Sequence, residues 1–270
     1  MNIGAPIIGM HQDEIKRMAE EHGAVILTDP DKIEAFKKRR DKEFHDEIEE
    51  NVFQQHMHFF DAISLYSGDE KLSFTFNDWD PTKQEDVNTA KDIGNQCFTL
   101  AKEMLTDNFN VMLVGTPGVG KTSLALAMLE AVHAKRKTTM FVSTMALSLL
   151  LTERFDNREA QQKLDRIISA MKKVDVLLLD DFGTEAGMKA EGGFKPVRKD
   201  LQEYFFNVAD ARLATIKDDD DNKHRIKSTI ITTNNTMGQL KQMYNEKLLS
   251  RLIPHDVDKT VVFKNMVDVR

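Results

Sequence analysis

The stretch Gly115-Thr116-Pro117-Gly118-Val119-Gly120-Lys121-Thr122 has the spacing G-x-x-x-x-G-K-[ST], which is suited to holding phosphate. Glycines let the backbone wrap an anion, and a helix start offers free N–H groups and a positive dipole end. Lys121 would reach the β- and γ-phosphates of a nucleotide, the Thr122 hydroxyl would ligate Mg²⁺, and Ser123 follows in the same turn. A second chemical element comes later, where Val176-Leu177-Leu178-Leu179 ends in Asp180 and Asp181. Asp180 would hold Mg²⁺ through water, and Asp181 would orient or deprotonate an attacking water. Asn234, after the β-branched run Ser228–Thr233, is placed to touch the γ-phosphate or its water. Arg251 stands among leucines. It either forms a structural ion pair or projects into a neighbouring subunit's nucleotide.

These side chains need elements to hold them. Val111–Val114 is uninterrupted apolar, as a strand buried on both faces of a parallel sheet would be. Ser123–Leu129 reads as helix, so the glycines fall between strand and helix. Buried parallel strands place their C-terminal ends beside the ligand crevice, which would bring Asp180, Asp181 and Asn234 to the same edge. The expected class is α/β, a parallel sheet flanked by helices. Further strands are expected over 138–142 and 260–263. Further helices are expected over 145–155, 160–171 and 196–212, with Asn235 capping another near 237–244. Asp218–Asp221 reads as an exposed, self-repelling loop.

Ahead of the glycine-rich loop, Phe74–Pro81 leads into a helix expected over 84–105. Val87, Ala90, Ile93, Gly94, Phe98, Ala101 and Leu105 would form its packed face. Trp79 reads as a packing anchor, with contact to a nucleotide base as the alternative.

Residues 1–75 are a different sort of sequence. A short helix is expected near 11–22, and a longer one from Asp29-Pro30-Asp31 onward, with Asp29 as cap. Charges come in blocks: Lys37-Lys38-Arg39-Arg40 is basic, and 41–50 is mostly acidic. This is either a solvated helix or a helical module that binds a partner, next to a second domain over 76–270. His56 and His58 are two apart, which on a helix points them to different faces and argues against a metal site.

Composition excludes several classes. At 41% hydrophobic and 30% charged, the 270-residue chain is globular rather than disordered. A net charge of −7 does not announce a nucleic-acid binder. One cysteine, Cys97, rules out an intrachain disulfide. No apolar run reaches the ~18 residues of a membrane span, and the start lacks the pattern of a signal peptide. A cytoplasmic protein is the expectation.

The motifs together resemble an AAA+ ATPase. Asp180-Asp181-Phe182-Gly183, Thr184-Glu185, Thr233-Asn234 and Ser250-Arg251-Leu252 follow the P-loop in the order seen in the DnaC/DnaI helicase loaders and the related IstB transposition helpers. Phe76-Asn77-Asp78-Trp79 is similar to their approach to the ATPase domain. The resemblance covers about residues 74–270. The N-terminal module lacks the cysteines that bind zinc in some relatives. The loops 183–196 and 216–227 look longer than in the family. Only 19 residues follow Arg251, so a reduced or absent helical lid is expected, with Arg270 the sole substitute for a lid-borne sensor arginine.

The resemblance implies ATP and Mg²⁺ as cofactors and self-association through the ATPase domains. It also implies loading of a hexameric replicative helicase, gripped by residues 1–75, onto single-stranded DNA. Lys135-Arg136-Lys137 and Lys172-Lys173 are candidates for the DNA contact; Phe141 is a candidate for base stacking, though its place in a strand favours the core. An IstB-like transposition helper shares the same core. A binding module with little hydrolysis is the third reading, because Asp181 is one methylene shorter than the Glu common in the wider class.

Overall fold

Five parallel strands carry the segments singled out above: β1 (Asn110–Gly115), β2 (Thr139–Ser143), β3 (Val176–Asp180), β6 (Ser228–Thr233) and β7 (Thr260–Phe263). They are ordered β2-β3-β6-β1-β7. This is a computed structural model, and it describes residues 12–21, 23, 29–68, 70–187, 193–218 and 221–269. The chain divides into two compact units at Gln55/His56.

Alternation within each strand explains the runs of apolar residues. Val111, Leu113, Phe141, Leu178 and Ile230 face one hydrophobic layer; Met140, Val142, Leu177, Leu179 and Ile231 face the other. Both faces are buried, so both rows are mainly apolar, and the polar exceptions on β6, Ser228, Thr229, Thr232 and Thr233, are hydrogen-bonded. The first layer is closed by α3 (Val87–Glu103) and α4 (Lys121–His133). The second is closed by α5 (Thr144–Glu153), α6 (Arg158–Lys173), α7 (Lys199–Arg212), α8 (Met237–Met243) and α9 (Glu246–Leu252). Leu65 pairs with the outer edge of β2: its N–H donates to the Phe141 carbonyl, and its own carbonyl accepts from Ser143, both at 2.8 Å. The larger unit therefore takes in residues before 75.

The smaller unit holds α1 (Gln12–Glu21) and the greater part of α2 (Pro30–Ile63). Asp29 caps α2 through the Asp31 N–H at 3.0 Å, as expected. Phe36, Phe44, Ile48 and Val52 are exposed along α2. His11, His22 and Arg270 lie outside the described residues. Among those described, no group of three or more His, Cys, Asp or Glu is placed to hold a metal, and no helix is long and apolar enough to cross a membrane.

Two local expectations are corrected. The packed face of α3 is Ala90, Ile93, Gly94, Cys97, Leu100 and Ala101, continued by Met104; Phe98 is exposed and meets Phe76 edge-on. Thr236 rather than Asn235 caps α8, in a reciprocal box with Gln239, while Asn235 is buried. The charged stretch after α7 is flanked by a two-stranded hairpin, β4 (Thr215–Lys217) and β5 (Lys223–Arg225). Phe141 is core: it is 1% exposed and stacks on Tyr66 at 4.6 Å.

Candidate functional site

The glycine-rich loop leaves the C-terminal end of β1 and turns into α4, whose N-cap is Gly120. Gly118 (φ 80) and Gly120 (φ 91) lie in the left-handed region. A side chain at Gly120 would also collide with the Trp79 ring, since a Cβ there would sit 2.7 Å from it. Two demands, backbone sign and close approach, thus select glycine. Trp79 is held in turn by its indole N–H, which donates to the Ala90 carbonyl at 3.1 Å.

A cleft of about 320 Å³ opens over this loop. Pro117, Gly118, Gly120, Lys121, Thr122 and Ser123 line its floor, Asp181 and Asn234 one side, and Phe74, Asp78, Trp79, Asp80, Lys83 and Gln84 the other. The remaining P-loop residues act from behind. Gly115 ends β1 against Phe263, Val119 is buried, and the Thr116 carbonyl accepts from Lys121. Val269 also lines the cleft, and its N–H donates to the Gly118 carbonyl at 3.2 Å. The Gln84 amide grips Val267 from both sides, accepting from its N–H at 2.8 Å and donating to its carbonyl at 3.0 Å. The Asp268 carboxyl rests against Gly118.

Lys121 is only 4% exposed, and its Nζ donates to the Thr116 carbonyl and to Asn234 Oδ1, both at 2.7 Å. Thr122 Oγ1 donates to Asp180 Oδ1 at 2.8 Å, and Thr232 Oγ1 donates to the same oxygen at 2.7 Å. Burial pushes the Asp180 carboxyl above its ordinary range and the Asp181 charge adds to this, while the hydrogen bonds from Thr232 and Thr122 oppose it. Asn234 Nδ2 approaches Asp181 Oδ1 at 3.4 Å. The expected residues on β1, β3 and β6 therefore converge at one sheet edge.

Mg²⁺ takes hard oxygen donors and keeps several waters. Thr122 and Asp180 supply such oxygens side by side, so the residues fit that ion, with phosphate and water completing the shell. Backbone N–H groups at the start of α4 and Lys121 fit a nucleotide's phosphates.

Arg251 is elsewhere. Its backbone carbonyl accepts from Asn110, at the beginning of β1, at 3.0 Å. The P-loop starts at the other end of that strand, about 17 Å away at ~3.3 Å per residue. Its guanidinium bonds Asp210 at 2.8 Å and the Lys247 carbonyl at 3.0 Å, and lies 4.4 Å over the Phe206 ring. It is partly exposed and does not join the site of its own chain.

The family described as IstB-like ATP binding protein matches residues 71–263, more than half of the chain. The chain belongs to that family. Among individual relatives, it is 26% identical over 145 residues to the insertion sequence IS21 ATP-binding protein of Pseudomonas aeruginosa, covering 53% of this chain and 45% of the relative. It is 23% identical over 158 residues to the uncharacterized protein YdaV of Escherichia coli, covering 58% and 54% respectively. The chain spans about half the length of these curated relatives. The crystal structure of DnaI superposes with a TM-score of 0.53 at 19% identity, over 76% of this chain and 96% of that one. At that identity the match speaks for the fold, which is the P-loop AAA+ architecture of this IstB-like family.

Sequence reasoning missed Thr144, Thr232 and Gln84. Thr232 had a signal, as a hydroxyl in the strand beside Asp180. The others meet the site only through tertiary packing.

The rim around Trp79 makes a pH prediction. Asp78 accepts from the hydroxyl and N–H of Thr75, Asp80 from those of Thr82, and Asp86 from those of Thr89. For Asp78 and Asp80 the threonine hydroxyl, and for Asp86 the Thr89 N–H, is the main cause holding the carboxyl below its ordinary range. A depressed folded value means that the caps stabilise fully above about pH 4 and lose their effect as pH falls through the depressed values. Emission from Trp79, the sole tryptophan, should stay constant down to about pH 4 and change only below it. A transition centred above pH 5 would assign the segment's stability to other groups.

Proposed function

We propose that this IstB-like protein is an ATPase that loads a hexameric replicative helicase onto single-stranded DNA, with ATP held between protomers. The observation that carries this reading is the division of the site along β1. Lys121, Asp181 and Asn234 lie together at its C-terminal end, and Arg251 lies at its beginning. Asp180 and Thr122 would hold Mg²⁺, Asp181 would handle the attacking water, and Asn234 would sense the γ-phosphate. A neighbour's Arg251 would supply the charge that stabilises the transferring phosphoryl group. Head-to-tail contacts of this kind build rings or open spirals. Residues 1–75 would grip the helicase, and the exposed apolar residues along α2 support a partner-binding role. The expected compartment is the cytoplasm.

The test mixes two variants. Arg251→Ala should bind ATP normally and lose about 100-fold or more of helicase- and DNA-stimulated turnover, as arginine fingers do. Adding Lys121→Ala protein, itself inactive, should restore part of the turnover, because its Arg251 completes the other's site. Absence of any rescue would return Arg251 to a within-chain role.

The similarity to an IS21 ATP-binding protein favours one other reading, a transposition helper. Residues 1–75 used as bait separate the two: capture of a purified transposase instead of a purified helicase would select the helper.

A further inference from the structure

Glu185 takes no part in the site above, yet it is partly buried in the loop that follows β3. Its carboxylate accepts hydrogen bonds from the Tyr244 hydroxyl at the end of α8, from Thr144 Oγ1 at the start of α5 at 3.0 Å, and from the Gly183 N–H at 3.0 Å. These donors are all neutral. A buried carboxylate is costly unless such bonds satisfy it. Burial pushes the Glu185 carboxyl upward, and burial together with the Glu185 charge pushes the Tyr244 phenol well up. The phenol therefore stays protonated and remains a donor.

The network's other end is Asp181. The Thr144 hydroxyl that reaches Glu185 also lies 3.0 Å from the Asp181 carbonyl. One proton serves two acceptors, so the two residues share a donor. Asp181 has φ 56, a left-handed conformation that an aspartate keeps only when its surroundings enforce it. On the β6 side it is pinned by its N–H to Thr232 Oγ1 at 2.9 Å and by the Phe182 N–H to the Thr232 carbonyl at 2.8 Å. On the other side the pins are Thr144 and the Gly183 N–H, and both run to Glu185. Tyr244 stacks on Phe182 at 4.3 Å between ring centres and directly precedes Asn245, the N-cap of the helix carrying Arg251.

We infer that Glu185 is a positioning residue for Asp181: with Tyr244 and Thr144 it holds the turn that aims the Asp181 carboxylate into the nucleotide cleft. This rests on the ATPase reading proposed above and deepens it.

The experiment compares Glu185→Ala, Glu185→Gln and Tyr244→Phe for ATP turnover, ATP affinity and amide exchange over residues 181–184. Glu185→Ala should lower turnover about 50-fold and Tyr244→Phe about 5-fold, with ATP affinity changed less than twofold, because the lost interaction acts in the reaction rather than in binding. Glu185→Gln, which keeps an acceptor oxygen, should recover most of the loss. In an Asp181→Asn background, Glu185→Ala should cost less than about twofold more, since residues acting through one another are not additive. Exchange at Phe182 and Gly183 should rise about tenfold in Glu185→Ala and fall back in Glu185→Gln. Additive turnover losses, or unchanged exchange, would overturn the inference. A wild-type chain that binds ATP without turnover under stimulation would overturn the ATPase reading instead, and exchange alone would then decide the role of Glu185.

Discussion

Lys121→Ala is expected to weaken ATP binding by at least about 100-fold while the chain stays folded. Lys121 is buried, and its hydrogen bonds to the Thr116 carbonyl and Asn234 Oδ1 hold it at the base of the cleft. Its ammonium faces a site that also contains Asp180 and Asp181. Without it a triphosphate would meet two carboxylates at the base of the cleft, with only Lys83 on the far wall to offset them. Removing one partner of a close, poorly hydrated charge pair costs about 3–5 kcal/mol, and every 1.4 kcal/mol is tenfold in affinity. Titration calorimetry with ATP, alongside a thermal melt to confirm folding, checks the claim. Binding within threefold of wild type would remove Lys121 from the phosphate site.

Arg212→Met should lower the melting temperature by roughly 10 °C, a larger effect than any surface change would give. Arg212 ends α7 and is 3% exposed. Nη1 donates to the carbonyls of Met171 and Val174, both at 2.7 Å; Nη2 donates to that of Asp175 at 3.0 Å and to that of Ser228; Nε donates to Thr229 Oγ1 at 3.0 Å. One guanidinium thus closes the C-terminal carbonyls of α6 and joins them to the start of β6. Methionine fills much of the volume but leaves these acceptors without their donor, at about 1–3 kcal/mol for each one stranded. Water reaching some of them keeps the expected total near 4 kcal/mol. Arg212→Lys should fall between, since an ammonium cannot span five acceptors. A melting temperature within 2 °C of wild type for Arg212→Met would show that the carbonyls find other partners.

Legibility in the sequence followed locality. The P-loop, the Asp180-Asp181 strand end and Asn234 could be read because each needs only its own strand and turn, and parallel packing then aligns them. Helix α6 could be read because its apolar face is unbroken. The face of α3 was misplaced by size: Phe98 looked like core, but smaller Cys97 fills the interior and Phe98 pairs with Phe76 outside. Asn235 and Thr236 are both capping types, and the choice fell to packing. Gly183 leaves room for the Asn235 amide, so Thr236 takes the cap. Glu185, Thr144 and Tyr244 meet across 41 and 59 residues of sequence, and Arg212 bonds carbonyls on two other elements. No periodicity or spacing announces such meetings.

The strand order also has a consequence during synthesis. β1 pairs on one side with β6 and on the other with β7, both made more than a hundred residues later. When the P-loop leaves the ribosome its strand has no hydrogen-bonding neighbour, and neither Asn234 nor the wall at Val267–Val269 yet exists. A nascent chain is therefore blind to nucleotide until the sheet closes from the far end. The nucleotide cleft is thus completed only when the last strands of the sheet have been made.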